Sequence, residues 1–166
     1  SDRRHISRIR VDPRGAVWTT DAASSHVRKF SPEGRELLDI AVGGQPTPCR
    51  NNFCGTTDVA FAANGHVFIA DGYANARVLE YTGDGRKVRE WGSAGTGPGQ
   101  FNLPHSVWAA TDGRVWVCDR ENDRIQIFSP TGELLGMWTN VRRPGDLFMG
   151  PDGVIYLGEM SWEKGE

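Results

Sequence analysis

Three features of the 166-residue sequence predict an all-β fold of repeated four-stranded antiparallel units, the architecture of a β-propeller. Glycines at 15, 65, 113 and 153 each precede a short β-rich run that ends in an acid. A second glycine turn follows 19 or 20 residues after the first three, at Gly34, Gly85 and Gly132. No stretch sustains an apolar 3.6-residue period over ten residues, so no helix is expected.

The first unit covers roughly 6–42. Its second strand is Val17-Trp-Thr-Thr-Asp21, its third 27–30 and its fourth 36–40, with Gly15 and Gly34 in the turns. The second unit, roughly 56–92, repeats this with Val67-Phe-Ile-Ala-Asp71, 77–81 and 87–91. The third, roughly 104–140, has Val115-Trp-Val-Cys-Asp119, 124–128 and 134–138. The stretch 144–160 supplies only two strands, the second being Ile155-Tyr-Leu-Gly-Glu159. First-turn glycines are 50, 48 and 40 residues apart, and the two longer intervals hold the loops 43–57 and 92–103. A four-stranded unit cannot bury both faces, so units must stack.

The count is about three and a half blades within 1–166. Propellers close with about four to eight. The expectation is therefore part of a larger ring, or self-association in which two copies complete one another. Ser1-Asp-Arg-Arg4 is neither a signal peptide nor a starting Met, so a processed or trimmed chain is expected.

Composition narrows the function classes. Net charge is −2, from 19 basic and 21 acidic residues without a basic block, which argues against nucleic acid as a partner. No apolar run approaches the roughly 18 residues of a membrane span. Cys49 and Cys54 share one loop. They read either as a disulfide, which would imply an oxidising, extracytoplasmic (secreted or periplasmic) setting, or as two free thiols. Cys118 sits in an apolar run and reads as a small core residue.

In a blade of this kind the innermost strand comes first. Its entry shares one face, the mouth, with the loop between strands two and three. The glycine turns open on the opposite face. His105 starts an innermost strand and could bind a metal or simply hydrogen-bond in the channel. Tyr73 could act as acid, base or hydrogen-bond partner, or pack as an aromatic. Arg120 could clamp a carboxylate, or pair with Glu121 or Asp123. The pairs Asp71/Arg77 and Asp119/Arg124 recur by blade, which argues for structural loop closure. The glycine-rich 92–99 lacks the Gly-Lys-Ser/Thr of a phosphate loop and reads as a connector.

Thr57-Asp-Val-Ala60, Ala70-Asp-Gly-Tyr-Ala-Asn-Ala-Arg77, Gly97-Pro-Gly-Gln-Phe-Asn-Leu-Pro-His-Ser106 and Asp119-Arg-Glu-Asn-Asp-Arg-Ile-Gln126 resemble the NHL-repeat propellers, specifically the branch of peptidyl-α-hydroxyglycine α-amidating lyase and its bacterial relatives. The resemblance implies a six-bladed ring and a catalytic zinc held by three His. It implies cleavage of a small peptide-like substrate, peptidyl-α-hydroxyglycine, to peptide amide and glyoxylate. His105 matches a zinc ligand, Tyr73 the tyrosine near the substrate hydroxyl, and Arg120 an active-site arginine. The ligand slot of the first blade falls on Ser7. His5 is two residues out of register, and a bulge is expected to be needed to bring it in. Pro144-Gly-Asp146 is the nearest look-alike of the third ligand's Pro-His-Asp motif, with Gly145 where the histidine would be, and the resemblance to the bacterial relatives implies that this ligand comes one blade later, past Glu166. Cys54 matches a family disulfide partner, whose mate's position is Ala74. A non-catalytic binding or assembly module that engages a protein partner is the competing expectation. A third is a lactonase-type propeller, and calcium is a candidate structural ion.

Overall fold

The computed structural model describes residues 5–44 and 53–160. The first blade contains β1 (Ile6–Val11), β2 (Val17–Asp21), β3 (His26–Phe30) and β4 (Glu36–Ala41). The second contains β5 (Asp58–Phe61), β6 (Val67–Asp71), β7 (Arg77–Tyr81) and β8 (Lys87–Trp91). The third contains β9 (Pro104–Ala109), β10 (Val115–Asp119), β11 (Arg124–Phe128) and β12 (Leu134–Trp138). A two-stranded fourth sheet pairs β13 (Pro144–Met149) with β14 (Ile155–Glu159). Every sheet is antiparallel and ordered as in the sequence. The fold is all-β, a β-propeller architecture of which about three and a half blades are present.

The seven turn glycines account for the chain reversals on the face opposite the mouth. All take the left-handed region, with φ between +80° and +90°, where a β-carbon would be strained. Each donates its N–H to the carbonyl three residues earlier at 2.9–3.0 Å.

Side-chain alternation explains the stacking. On β6, Val67 and Ile69 pack with Trp18, Val27 and Ile40 of the first blade. Phe68 and Ala70 on the same strand pack with Val107, Val115 and Phe128 of the third. Trp116 and Ile125 carry the core on to Leu147 of the fourth sheet. The central strands are thus buried on both faces, so they read in sequence as continuous apolar runs. At the two ends the same register is uncovered. Ile9, equivalent to buried Val59 and Val107, is 61% exposed, and Tyr156, equivalent to buried Phe68 and Trp116, is 58% exposed.

The entry to each blade lies against a loop of the one before. A β-carbon at Gly55 would stand 2.4 Å from the Asp21 carbonyl oxygen, and one at Gly72 2.1 Å from that of Pro104. Only glycine permits so close a backbone approach.

The recurring loop pairs close these loops. Asp71 accepts from Arg77 Nε at 2.9 Å and from Asn75 Nδ2 at 2.9 Å. Asp119 accepts from Arg124 Nε at 2.7 Å and from Asn122 Nδ2 at 2.8 Å. Arg124 also donates to the carbonyls of Thr96, Gly97 and Gln100, which ties the connector 92–103 to its own blade. In the first blade Asp21 has the same place but accepts mainly from Ser24 Oγ, at 2.6 Å, with Arg28 3.9 Å away.

Cys54 is disulfide-bonded. Cys49 lies outside the described residues. Cys118 is free and buried, and burial pushes its thiol well up from the ordinary range. Among the described residues a 3-10 turn is present at Arg120–Asn122. No helix among the described residues is long and apolar enough to cross a membrane.

Replacing Phe68, which is fully enclosed between two blades, with Ala is expected to cost about 3–5 kcal/mol. Leu37→Ala, on an exposed outer strand, is expected to stay within about 0.5 kcal/mol. Urea unfolding midpoints of the two variants check the contrast.

Candidate functional site

The mouth is built by one local device used three times. In the β1–β2 ladder the register skips between Ile6 and Arg8, so Ser7 is left unpaired. The β9–β10 ladder passes from Pro104 to Ser106 and skips His105. The β13–β14 ladder passes from Pro144 to Asp146 and skips Gly145. These are β-bulges at equivalent positions, and a bulge re-aims the residue it frees. Thr57, at the same position of the second blade, immediately precedes β5 and donates Oγ1 to the Pro104 carbonyl at 2.8 Å.

His105 is held through both ring nitrogens. Nδ1 lies 2.6 Å from the Gly145 carbonyl oxygen. A carbonyl can only accept, so Nδ1 carries the proton and Nε2 presents a lone pair. The Tyr73 hydroxyl, 3.3 Å from Nε2, donates to it. The two rings meet edge-on at 5.8 Å. Ser7 Oγ stands 3.5 Å from the Tyr73 oxygen and donates to the Thr57 carbonyl at 3.1 Å. Burial lowers the His105 imidazolium pKa from its ordinary value, and the charges of Arg120 and Arg8 act in the same direction. The hydrogen bond to Gly145 and the Asp58 charge offset part of this. The ring is therefore neutral at physiological pH.

Arg120 is placed on the same face by the 3-10 turn after β10. Its Nε donates to Glu121 Oε1 at 2.7 Å, and Arg143 Nη2 donates to the same oxygen at 2.7 Å. The ion pair with Glu121 expected as the plain reading of Arg120 is thus formed. His5 lies apart from this group. Its ring packs on Phe53 at 5.7 Å, and Phe53 in turn packs on Tyr73 at 5.3 Å. The first-blade bulge exists, but it presents Ser7 rather than His5.

One position deeper, the innermost strands carry Arg8, Asp58, Ser106 and Asp146, with Arg10 reaching in from β1. Asp58 is fully buried and accepts from Arg10 Nε at 3.0 Å and Nη2 at 2.7 Å. It also accepts from the Val59 and Val107 amides. Asp146 accepts from Arg8 Nη1 at 2.7 Å and Arg10 Nη2 at 3.2 Å. Ser106 Oγ lies 2.8 Å from Asp58 and 3.1 Å from Asp146. Sequence reasoning passed over this layer. Its signal was a polar residue one place after each mouth position, on strands otherwise apolar. Below it lies an apolar cavity of about 400 Å³ lined by Ile9, Ala60, Phe61, Trp108 and Phe148. The Arg10 guanidinium stands over the Trp108 ring at 5.4 Å.

The donor set fits a zinc ion in one position only. His105 offers an outward Nε2 whose other nitrogen is fixed by a carbonyl, as imidazole ligands require. The equivalent places hold Ser7, Thr57 and Gly145, and no group of three His, Cys, Asp or Glu side chains suited to a metal occurs among the described residues. The described residues alone do not make a metal centre.

An NHL-repeat family model matches residues 101–128, the span from the connector through β11. The chain is 36% identical over 159 residues to peptidyl-glycine alpha-amidating monooxygenase B of Xenopus laevis, covering 89% of this chain and 18% of that protein. It is 37% identical over 132 residues to peptidyl-alpha-hydroxyglycine alpha-amidating lyase 1 of Drosophila melanogaster, covering 72% and 24%. NHL repeat-containing protein 3 of Homo sapiens is 35% identical over 154 residues, covering 86% and 44%. The chain thus spans less than half the length of these relatives. Among solved structures, a streptogramin B lyase superimposes with a TM-score of 0.70 at 21% identity over 93% of this chain and 48% of that one. That likeness shows the propeller fold alone. The chain is an NHL-repeat β-propeller. It resembles the peptidyl-α-hydroxyglycine α-amidating lyases and covers part of such a propeller.

Because the folded state holds the His105 imidazolium below its ordinary pKa of about 6.5, the unfolded chain binds more protons over the window beneath that value. Stability of the metal-free protein should therefore fall as pH drops from about 6.5 to the depressed folded value, and level off below it. His105→Gln should flatten this part of the profile. Unfolding free energies across the pH series test it, and an identical slope in the variant would refute it.

Proposed function

We propose that the chain belongs to a catalytic propeller that cleaves peptidyl-α-hydroxyglycine to a peptide amide and glyoxylate with the help of zinc. The observation that carries this is the Tyr73 hydroxyl set against Nε2 of a neutral, carbonyl-anchored His105, across the seam of two blades. Zinc, when bound, would take Nε2 of His105 together with ligands from outside the described residues, and would acidify the substrate hydroxyl. Tyr73 would relay the hydroxyl proton towards the amide nitrogen as the carbon–nitrogen bond breaks and the carbonyl of glyoxylate forms. Arg120, on the same face, would orient the substrate carboxylate by a two-pronged hydrogen bond. Further blades would cover the faces bearing Ile9 and Tyr156, supplied by the same chain or a second copy. An extracytoplasmic setting is part of the same proposal and is supported by the disulfide at Cys54.

A second reading is a non-catalytic module for binding or assembly. Ser7 in the position of a would-be ligand favours it, as does similarity to a relative whose name states no activity.

The discriminating experiment is glyoxylate release from an α-hydroxyglycine peptide by the full-length protein, with zinc content measured in parallel. On the lyase reading, His105→Ala and Tyr73→Phe should each lower kcat/KM by about 10²–10⁴-fold. Arg120→Ala should act mainly on KM. Absence of both zinc and glyoxylate would leave the binding module standing.

A further inference from the structure

We infer that Asp146 is a positioning residue for His105, acting through Gly145 and independently of whether the protein is a lyase. The two bulged residues Gly145 and His105 touch by one hydrogen bond, Nδ1 to carbonyl oxygen at 2.6 Å. Because each is skipped by its own ladder, strand pairing does not fix how they face each other. The residues that follow them do. Ser106 and Asp146 are joined directly, at 3.1 Å. Asp146 Oδ1 also accepts from the Leu147 amide at 2.9 Å, which fixes the carboxylate on its own strand just beyond the bulge. Its other oxygen accepts from Arg8 Nη1 at 2.7 Å, and Oδ1 from Arg10 Nη2 at 3.2 Å, so β13 is also tied across the channel to β1. The single Ser106 hydroxyl proton is shared with Asp58, whose oxygen lies 2.8 Å away on the other side. Asp146 therefore closes a loop of bonds from one bulge to the next, and the direction of the Gly145 carbonyl is set by it. That carbonyl selects which imidazole nitrogen carries the proton, and hence which nitrogen presents a lone pair to the mouth.

The prediction concerns a tautomer and needs no turnover. In the full-length protein freed of metal by chelation and carrying ¹⁵N-labelled histidine, the ring shifts of His105 at fixed neutral pH should show the single Nδ1–H form, the resonances being assigned by their loss in His105→Ala. Asp146→Asn keeps an acceptor oxygen for the Leu147 amide and Ser106, and should retain that form. Asp146→Ala should lose it, with the two nitrogen shifts drawing together as both tautomers populate. A merely structural role would alter the unfolding midpoint without moving the tautomer. A folded Asp146→Ala variant with unchanged His105 nitrogen shifts would overturn the inference. Should that variant fail to fold, Ser106→Ala decides: it removes only the hydroxyl link, should mix the tautomers in the same way, and overturns the inference if it does not.

Discussion

A propeller blade has two apolar faces and can cover neither alone. Everything distinctive in this chain follows from lending each face to a neighbour. β6 shows the constraint in five residues, with Val67 and Ile69 given to the blade before and Phe68 and Ala70 to the blade after. Because cohesion lies between blades, the places where chemistry can gather also lie between blades. Tyr73 meets His105 only because the second and third blades share a core beneath them. The apolar term is nondirectional. It brings the sheets together but does not say how far one slides along the next.

The polar layer around Asp58 supplies that missing direction. A buried carboxylate paired with arginine is weak evidence for added stability, because desolvation offsets most of the attraction. Its geometry is informative in another way. Asp58 is bonded to Arg10 of the first blade and to Ser106 and the Val107 amide of the third. A slide of one residue in β1, β5 or β9 would leave the fully buried Asp58 without its partners, an error of several kcal/mol. The two layers divide the work. Hydrophobic packing makes the blades adhere, and the charged layer makes them adhere in one register.

The fold was legible in the sequence because it is written locally. Gly15, Gly34 and their repeats are required by turns with positive φ, and the acids ending each second strand recur with them. The half-blade at 144–160 was equally plain. The site was legible where its residues fall on the mouth loops: His105, Tyr73 and Arg120 share that face, and the structure brings the first two into contact. What single residues could not reveal was the bulge. It depends on which residue a ladder skips, and that is a property of two strands together. His5 therefore looked like a candidate awaiting a bulge, whereas the bulge presents Ser7. The layer of Arg8, Asp58, Ser106 and Asp146 was hidden for a related reason. Its members are unlike in chemistry, so they look unrelated until the blades are superimposed.

The bulges have a consequence for how such a protein changes over generations. A residue that a ladder skips contributes little to strand pairing, so its identity is less tied to the strand than that of its neighbours. The three skipped places here hold a serine, a histidine and a glycine, three chemistries on one geometry. They behave as interchangeable sockets around a common opening. A lineage can exchange the contents of a socket by a single codon while the scaffold beneath stays intact. Catalysts and inert binders can then be near neighbours in sequence, separated by what a few sockets hold and not by how the blades are built.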